Sequence, residues 1–87
     1  MDISVTIDRV VYQNYKASGL LEVYKADLIN NLVRKKYKLP AYELAIMRKI
    51  IAEPNNAEYI AEFNEYNAYV EKCINAVDVA FADMEWA

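Results

Sequence analysis

The apolar residues in the last third of the chain recur at helical spacing, and this pattern constrains the fold more than any other feature. From Tyr59 onward the steps between them alternate between four and three residues, which is typical of a helix that packs lengthwise on other helices. The row consists of Tyr59, Phe63, Tyr66, Val70, Cys73, Val77, Ala80 and Met84. Because neither Gly nor Pro interrupts the segment, we predict one long helix over residues 56–85.

Residues beside this row predict where the long helix begins and how wide its buried face is. Asn55 precedes Glu58 by three residues, which favours an N-cap at Asn55 whose own N–H the Glu58 carboxylate can reach, and Pro54 ends the preceding segment. A second apolar row broadens the face and is broken at Asn67; it consists of Ile60, Ile74 and Phe81. Charged residues fall on the far side, at Glu58, Glu62, Glu65 and Lys72.

Composition limits the classes of protein to which the chain can belong. Eighty-seven residues make a single domain, and one cysteine with no histidine leaves no intrachain disulfide and removes the commonest metal ligand and general base. No apolar run approaches the length of a membrane span, and there is no basic-then-apolar leader. Together with the single cysteine, this predicts a cytoplasmic protein. We also expect no metal or cofactor. Residues 1–50 carry nine Lys/Arg against five Asp/Glu, whereas residues 51–87 carry one against eight. Halves of opposite charge attract each other within a fold or between copies.

The segments before the long helix predict two more helices and an N-terminal arm. Residues 1–9 suit an arm, a short extra helix or a short strand, and a strand would pair with a second copy. Residues 10–37 predict a helix that is bent or broken at Gly19, and residues 40–52 predict a helix with Pro40 in its first turn. Apolar residues cover more than half of the 40–52 helix, so it should be the most enclosed element. With short connections, the expected fold is all-α: an up-and-down three-helix bundle with an N-terminal arm or short extra helix.

A basic cluster closes the 10–37 helix and has two interpretations. It consists of Arg34, Lys35, Lys36, Tyr37 and Lys38. The favoured interpretation is a helix C-terminus, where cations compensate the macrodipole. The alternative is a binding site for a small phosphorylated ligand. Nucleic acid is disfavoured because the acidic half would repel its backbone.

Other reactive side chains have structural explanations. Glu58, Glu62 and Glu65 lie along one helix face, and we interpret them as a solvated face or as partners of the basic half rather than as a metal site. Cys73 lies on the apolar row without a histidine to act as its base, which favours a core residue over a nucleophile. The chain has no Gly-rich phosphate loop and no nucleophile elbow. The sequence therefore predicts a protein that is not an enzyme.

Eight tyrosines in so small a domain indicate either core rings whose hydroxyls reach the rim or a surface for a partner. Tyr is enriched at protein interfaces because one end of its ring system is apolar and the other is polar. The predicted interface residues on the long helix are Tyr59, Phe63, Tyr66, Tyr69, Val70 and Trp86. The first function hypothesis is self-association, or docking to a host or virion protein, through this tyrosine-rich face. The second is an oligomer that sequesters a phosphorylated nucleotide, such as a host immune signal, at residues 34–38.

Three stretches resemble a class of short phage and prophage proteins of unknown function. They are Lys36-Tyr37-Lys38, the helix start from Tyr42 to Arg48, and the Glu-Phe-x-x-Tyr-x-x-Tyr-x-Glu-x-Cys pattern from Glu62 to Cys73. The resemblance covers residues 34–73, and the spacer before the last helix is here Ala52-Glu53-Pro54-Asn55-Asn56. It implies a phage-encoded accessory protein and nothing more exact, and it carries over no active site. An anti-defence role in a bacterial host belongs to the second hypothesis.

Overall fold

The computed structural model describes residue 3 and residues 5–86, and within these residues every regular element is an α-helix. The helices are α1 (Arg9–Ala17), α2 (Leu21–Lys36), α3 (Pro40–Ala52) and α4 (Ala57–Trp86). The all-α prediction is therefore confirmed for this part of the chain. Met1, Asp2 and Ser4 lie outside the described residues. Of the segment 1–9, for which a strand is one prediction, residues 3 and 5–8 form no strand and Arg9 begins α1.

Local hydrogen bonds explain where α1 begins and ends. The Asp8 carboxylate accepts hydrogen bonds from the N–H groups of Val10 and Val11, at 2.8 and 3.2 Å, and so caps the N-terminus. At the other end Gly19 has a φ of +72°, and the N–H of Leu20 donates to the carbonyl of Tyr15 at 2.9 Å. This is a Schellman ending, which needs the left-handed backbone that glycine adopts most easily. The break at Gly19 divides the predicted 10–37 helix into α1 and α2.

The N-cap of α4 is Asn56, and the prediction of Asn55 was wrong by one position. The Asn56 side-chain oxygen accepts hydrogen bonds from the N–H groups of Glu58 and Tyr59, at 3.0 and 3.2 Å. These donors are the second and third residues of the helix, which is the usual reach of an Asn cap. Glu58 is one residue too early in the helix to complete the expected capping box.

Helix α4 is the element on which the others pack. Ion pairs Lys25–Asp78 and Lys36–Glu65 join α2 to α4, and Lys49–Glu62 joins α3 to α4. Residue numbers fall along α4 as they rise along α2, and Glu43 of α3 bonds to Tyr66 whereas Lys49 pairs with Glu62. Both helices therefore run antiparallel to α4 and occupy successive segments of it. They adjoin at the Arg34–Glu43 ion pair. The mutual packing of three long helices in an up-and-down bundle is not confirmed.

The main core lies between α2 and α4. Its buried residues are Leu32, Val33, Cys73 and Val77, and the arm residues Ile3 and Val5 pack against them. Towards α1, the ring of Tyr12 meets Phe81 edge-on with centroids 5.6 Å apart. Helix α3 has one buried residue, Ile46, so the prediction that it is the most enclosed helix was wrong: it has α4 on one side and no further layer on the other.

Candidate protein interaction face

A polar cluster stands where α2, α3 and α4 meet. The Arg34 guanidinium pairs with the Glu43 carboxylate and also donates to the carbonyl of Tyr37 at 3.1 Å. The Tyr66 hydroxyl donates to the other Glu43 oxygen at 2.8 Å. Three helices are thus tied together through one half-buried carboxylate, whose two oxygens are both used.

The titration of this cluster follows from burial and hydrogen bonding. Burial alone would raise the pKa of the Glu43 carboxyl, but the hydrogen bonds from Arg34 and Tyr66 and the charge of Arg34 outweigh it and lower that pKa. Burial and the hydrogen bond to Glu43 raise the pKa of Tyr66 to about 12. At neutral pH the carboxylate is charged and the phenol is protonated, so the cluster is a stable tie between helices and not an acid–base pair.

An open groove of about 320 Å³ runs between α2 and α4, and the polar cluster closes one end of it. We call it the α2–α4 groove. Its apolar lining is formed by Ala26, Ile29, Val33, Val70 and Ile74. A groove between two antiparallel helices is the position that a third helix fills in a helical bundle.

A row of exposed apolar side chains on α3 lies on the same side of the molecule as the α2–α4 groove. It consists of Leu44, Met47 and Ile51, and we call it the α3 row; Leu44 is 54% exposed and Ile51 is 78% exposed. Lys49 lies about 200° round the helix from both Met47 and Ile51, and it pairs with Glu62 on one edge of α4. The α3 row therefore lies above the opposite edge of α4, which carries Ile60 and Ile74, both half exposed.

Together, the α2–α4 groove and the α3 row form one apolar face. Its members come from three helices and are held in place by the Arg34–Glu43–Tyr66 cluster between them. The apolar width of α3 predicts that these α3 residues are enclosed, whereas the structure leaves them exposed. No sequence pattern marks the groove residues Ile29 and Ile74 or the tie at Glu43 as functional.

The tyrosine-rich face predicted on α4 is used largely within the chain. Tyr66 is buried, its ring meets Tyr37 edge-on at 5.1 Å, and the Tyr69 hydroxyl donates to the carbonyl of Leu32 at 2.9 Å. Tyr59, Phe63 and Val70 are half-buried. The side chain of Trp86 lies outside the described part of the structure. Contact of these residues with a partner stays a prediction, with Val70 in the groove being the member best placed for it.

The basic cluster is divided by the fold. Arg34 is held by Glu43, and the Lys36 ammonium pairs with Glu65 at 2.8 Å and lies 5.1 Å from the centre of the Tyr69 ring. The hydrogen bond to Glu65 raises the pKa of Lys36, and the Tyr37 ring is packed between α2 and α4. Lys35 and Lys38 are exposed and form no ion pair among the described residues. A phosphorylated ligand at residues 34–38 would have to compete with two ion pairs.

The other reactive side chains are placed as follows. Glu62 and Glu65 pair with lysines, Glu58 is exposed, and the described residues contain no cluster of three or more metal-ligating side chains. Cys73 is fully buried, and burial raises the pKa of its thiol. Within the described range, none of the helices is both long and apolar enough to cross a membrane.

Comparison of the chain with protein families, with curated proteins and with solved structures gave no match. The resemblance to short phage proteins therefore stays a prediction, and the function has to be inferred from the apolar face itself.

Proposed function

We propose that this chain is a non-enzymatic interaction protein that docks an apolar helix on its apolar face. The observation that carries the proposal is the exposure of the α3 row directly beside the open α2–α4 groove. Single exposed apolar residues are common on soluble proteins, whereas several exposed apolar residues grouped on one side of three helices are typical of an interaction site.

The dimensions of the molecule support the same proposal. Its radius of gyration is 15.7 Å, whereas a compact domain of this length has about 12 Å. It exposes 6321 Å² of surface, and a compact monomer of its mass exposes about 5300 Å². The excess of about 1000 Å² is close to the roughly 800 Å² that each partner buries in a standard interface.

Docking would also complete the fold. We propose that a helix laid in the α2–α4 groove makes a bundle of three packed helices around that groove. The candidate partners are a second copy or, following the phage resemblance, a virion or bacterial host protein. The nucleotide-binding alternative has less support, because Arg34 and Lys36 already have carboxylate partners.

Site-specific photo-crosslinking tests this proposal. A photoreactive phenylalanine replaces Leu44 in one variant and Val79 in a matched control; Val79 is 62% exposed but lies about 200° round α4 from the buried Val77. Irradiation of cells expressing each variant should give an adduct of defined mass from position 44 and none from position 79. No adduct from position 44, or equal adducts from both positions, would contradict docking on the apolar face.

A further inference from the structure

We infer that the partner is a second copy of this chain, bound face to face and antiparallel, with α3 of each copy lying in the α2–α4 groove of the other. This inference rests on the proposed function, since it names the occupant of the apolar face. It also goes further, because it specifies the symmetry of the assembly and a pair of charges that sets its register.

The apolar face is self-complementary. It carries a groove that lacks a helix and, beside it, a helix whose exposed row lacks a cover. A two-fold axis between the groove and the α3 row places the row of each copy over the groove of the other. Each copy then supplies what the other lacks, as an isologous interface requires. The α3 row repeats at steps of three and four residues, which is the pattern by which a helix fills a groove between two others.

Charges on the rim of the face favour the antiparallel register. Arg48 lies in line with Leu44 and Ile51 on α3, and Glu71 lies one turn before Ile74 on α4. Both side chains are exposed, and neither forms an ion pair among residues 3 and 5–86.

The positions of these two charges along the molecule are symmetric about Tyr66. Glu71 is five residues beyond Tyr66, about 7.5 Å along the axis. Arg48 adjoins Lys49, which pairs with Glu62, and Glu62 is four residues before Tyr66, about 6 Å in the other direction. A two-fold axis near Tyr66 therefore brings Arg48 of each copy towards Glu71 of the other, in addition to the general attraction between the basic and acidic halves of the chain.

The excess exposed surface of one chain matches the area that a second copy would bury on it. An excess of about 1000 Å² per chain provides about 2000 Å² for two chains, which is the upper end of the range for a standard interface. A dimer that buries this excess would bring each chain to the exposed area expected for a compact protein of its mass.

Sedimentation equilibrium over a range of chain concentrations tests the second copy. The wild-type chain should be a dimer, the Leu44→Glu, Ile51→Glu double variant should dissociate with a Kd at least about tenfold higher, and Val79→Glu should behave as wild type. Both substituted residues of the double variant are exposed, so its helix content, measured by circular dichroism, should stay unchanged. A wild-type chain that remains monomeric at millimolar concentration would overturn the inference.

Reversal of the two charges tests the register. Arg48→Glu and Glu71→Arg should each weaken the dimer about threefold to tenfold, and the Arg48→Glu, Glu71→Arg double variant should recover most of the loss. Failure of the double variant to recover would overturn the antiparallel arrangement.

The two proposals fail differently. An adduct from position 44 with a mass other than two chains, together with a monomeric wild type, rejects the second copy and retains docking on the apolar face. The absence of any adduct from position 44 rejects both.

Discussion

The two ends of α4 are covered to different depths, although both are packed by an antiparallel helix. Towards its C-terminal end, Cys73 and Val77 are fully buried under α2, and the N-terminal arm and α1 add a further layer. Towards its N-terminal end, α3 has one buried residue, Ile46, and the α3 row is exposed. The first region resembles a finished core, and the second resembles half of an interface.

Under the proposed function, the short chain divides its apolar residues between stability and binding. An 87-residue chain has a small core at best, and here that core is concentrated between α2 and α4. The α3 end is held by the Arg34–Glu43–Tyr66 cluster, which fixes position through direction-dependent hydrogen bonds without covering the apolar surface. A rigid but uncovered face is what a binding surface requires.

The largest expected effect contrasts a core residue with a face residue of similar size. Leu32→Ala should lower the free energy of unfolding by about 2–5 kcal/mol, because it leaves a cavity between α2 and α4. Ile51→Ala should change it by less than about 0.5 kcal/mol at concentrations where the chain is monomeric, because Ile51 is exposed. Urea denaturation of both variants measures the contrast, and equal losses would remove the distinction between the two regions.

Substitutions in the Arg34–Glu43–Tyr66 cluster should have the next largest effect on the free energy of unfolding. Glu43→Ala leaves the half-buried Arg34 and the buried Tyr66 without their shared acceptor, which should cost about 1–3 kcal/mol. Tyr66→Phe removes one hydrogen bond and should cost about 1 kcal/mol. A double-mutant cycle should show coupling between them, whereas strictly additive losses would mean that the Tyr66–Glu43 hydrogen bond contributes no coupling energy.

Substitutions of Gly19, at the break between α1 and α2, should have a smaller effect on stability. Gly19 has a positive φ, and a Cβ added there would meet no atom within 4 Å, so Gly19→Ala should cost only the conformational strain of about 1 kcal/mol. Gly19→Asn should cost less, because Asn tolerates the left-handed region better. Thermal melts of the two variants compare these costs; a stabilising Gly19→Ala would indicate a continuous helix through residues 10–37.

The smallest expected effect is a dependence on pH. The pKa of Glu43 is lowered in the folded chain, so the carboxylate adds stability above its unfolded pKa of about 4.3 and loses it as the pH falls through its folded pKa. The stability difference between wild type and Glu43→Gln should therefore be constant from pH 7 to about pH 5 and shrink below about pH 4.3. Glu65, whose pKa is also lowered by Lys36, is present in both proteins and cancels from the difference. A difference that grows in acid would contradict this assignment.

Local features were accessible from the sequence because they depend on neighbours along the chain. The unbroken spacing from Tyr59 to Met84 specified α4, and Gly19 and Pro40 marked a break and a start. Two adjacent asparagines left the N-cap of α4 open to a shift of one residue, since Asn55 and Asn56 have the same chemistry.

Features that join distant residues were not accessible in this way. The hydrogen bond between Tyr66 and Glu43 spans 23 positions, and nothing in the spacing of either helix requires it. The apolar breadth of α3 indicated that α3 needs cover, but not whether the same chain supplies it. That question belongs to the assembly, which a periodic pattern in one chain does not specify.

Hydrogen exchange of the intact chain at two concentrations, one below and one above the dimer Kd, tests the central claim most directly. If a second copy covers the α3 end, exchange of amides in residues 40–52 should slow as concentration rises, because docking suppresses local opening of α3. Amides in the middle of α2, which lines the groove, should slow as well. Amides of α4 around Phe81, which α1 covers, should change much less, because the second copy does not reach them. Exchange in α3 that is independent of concentration would contradict the account.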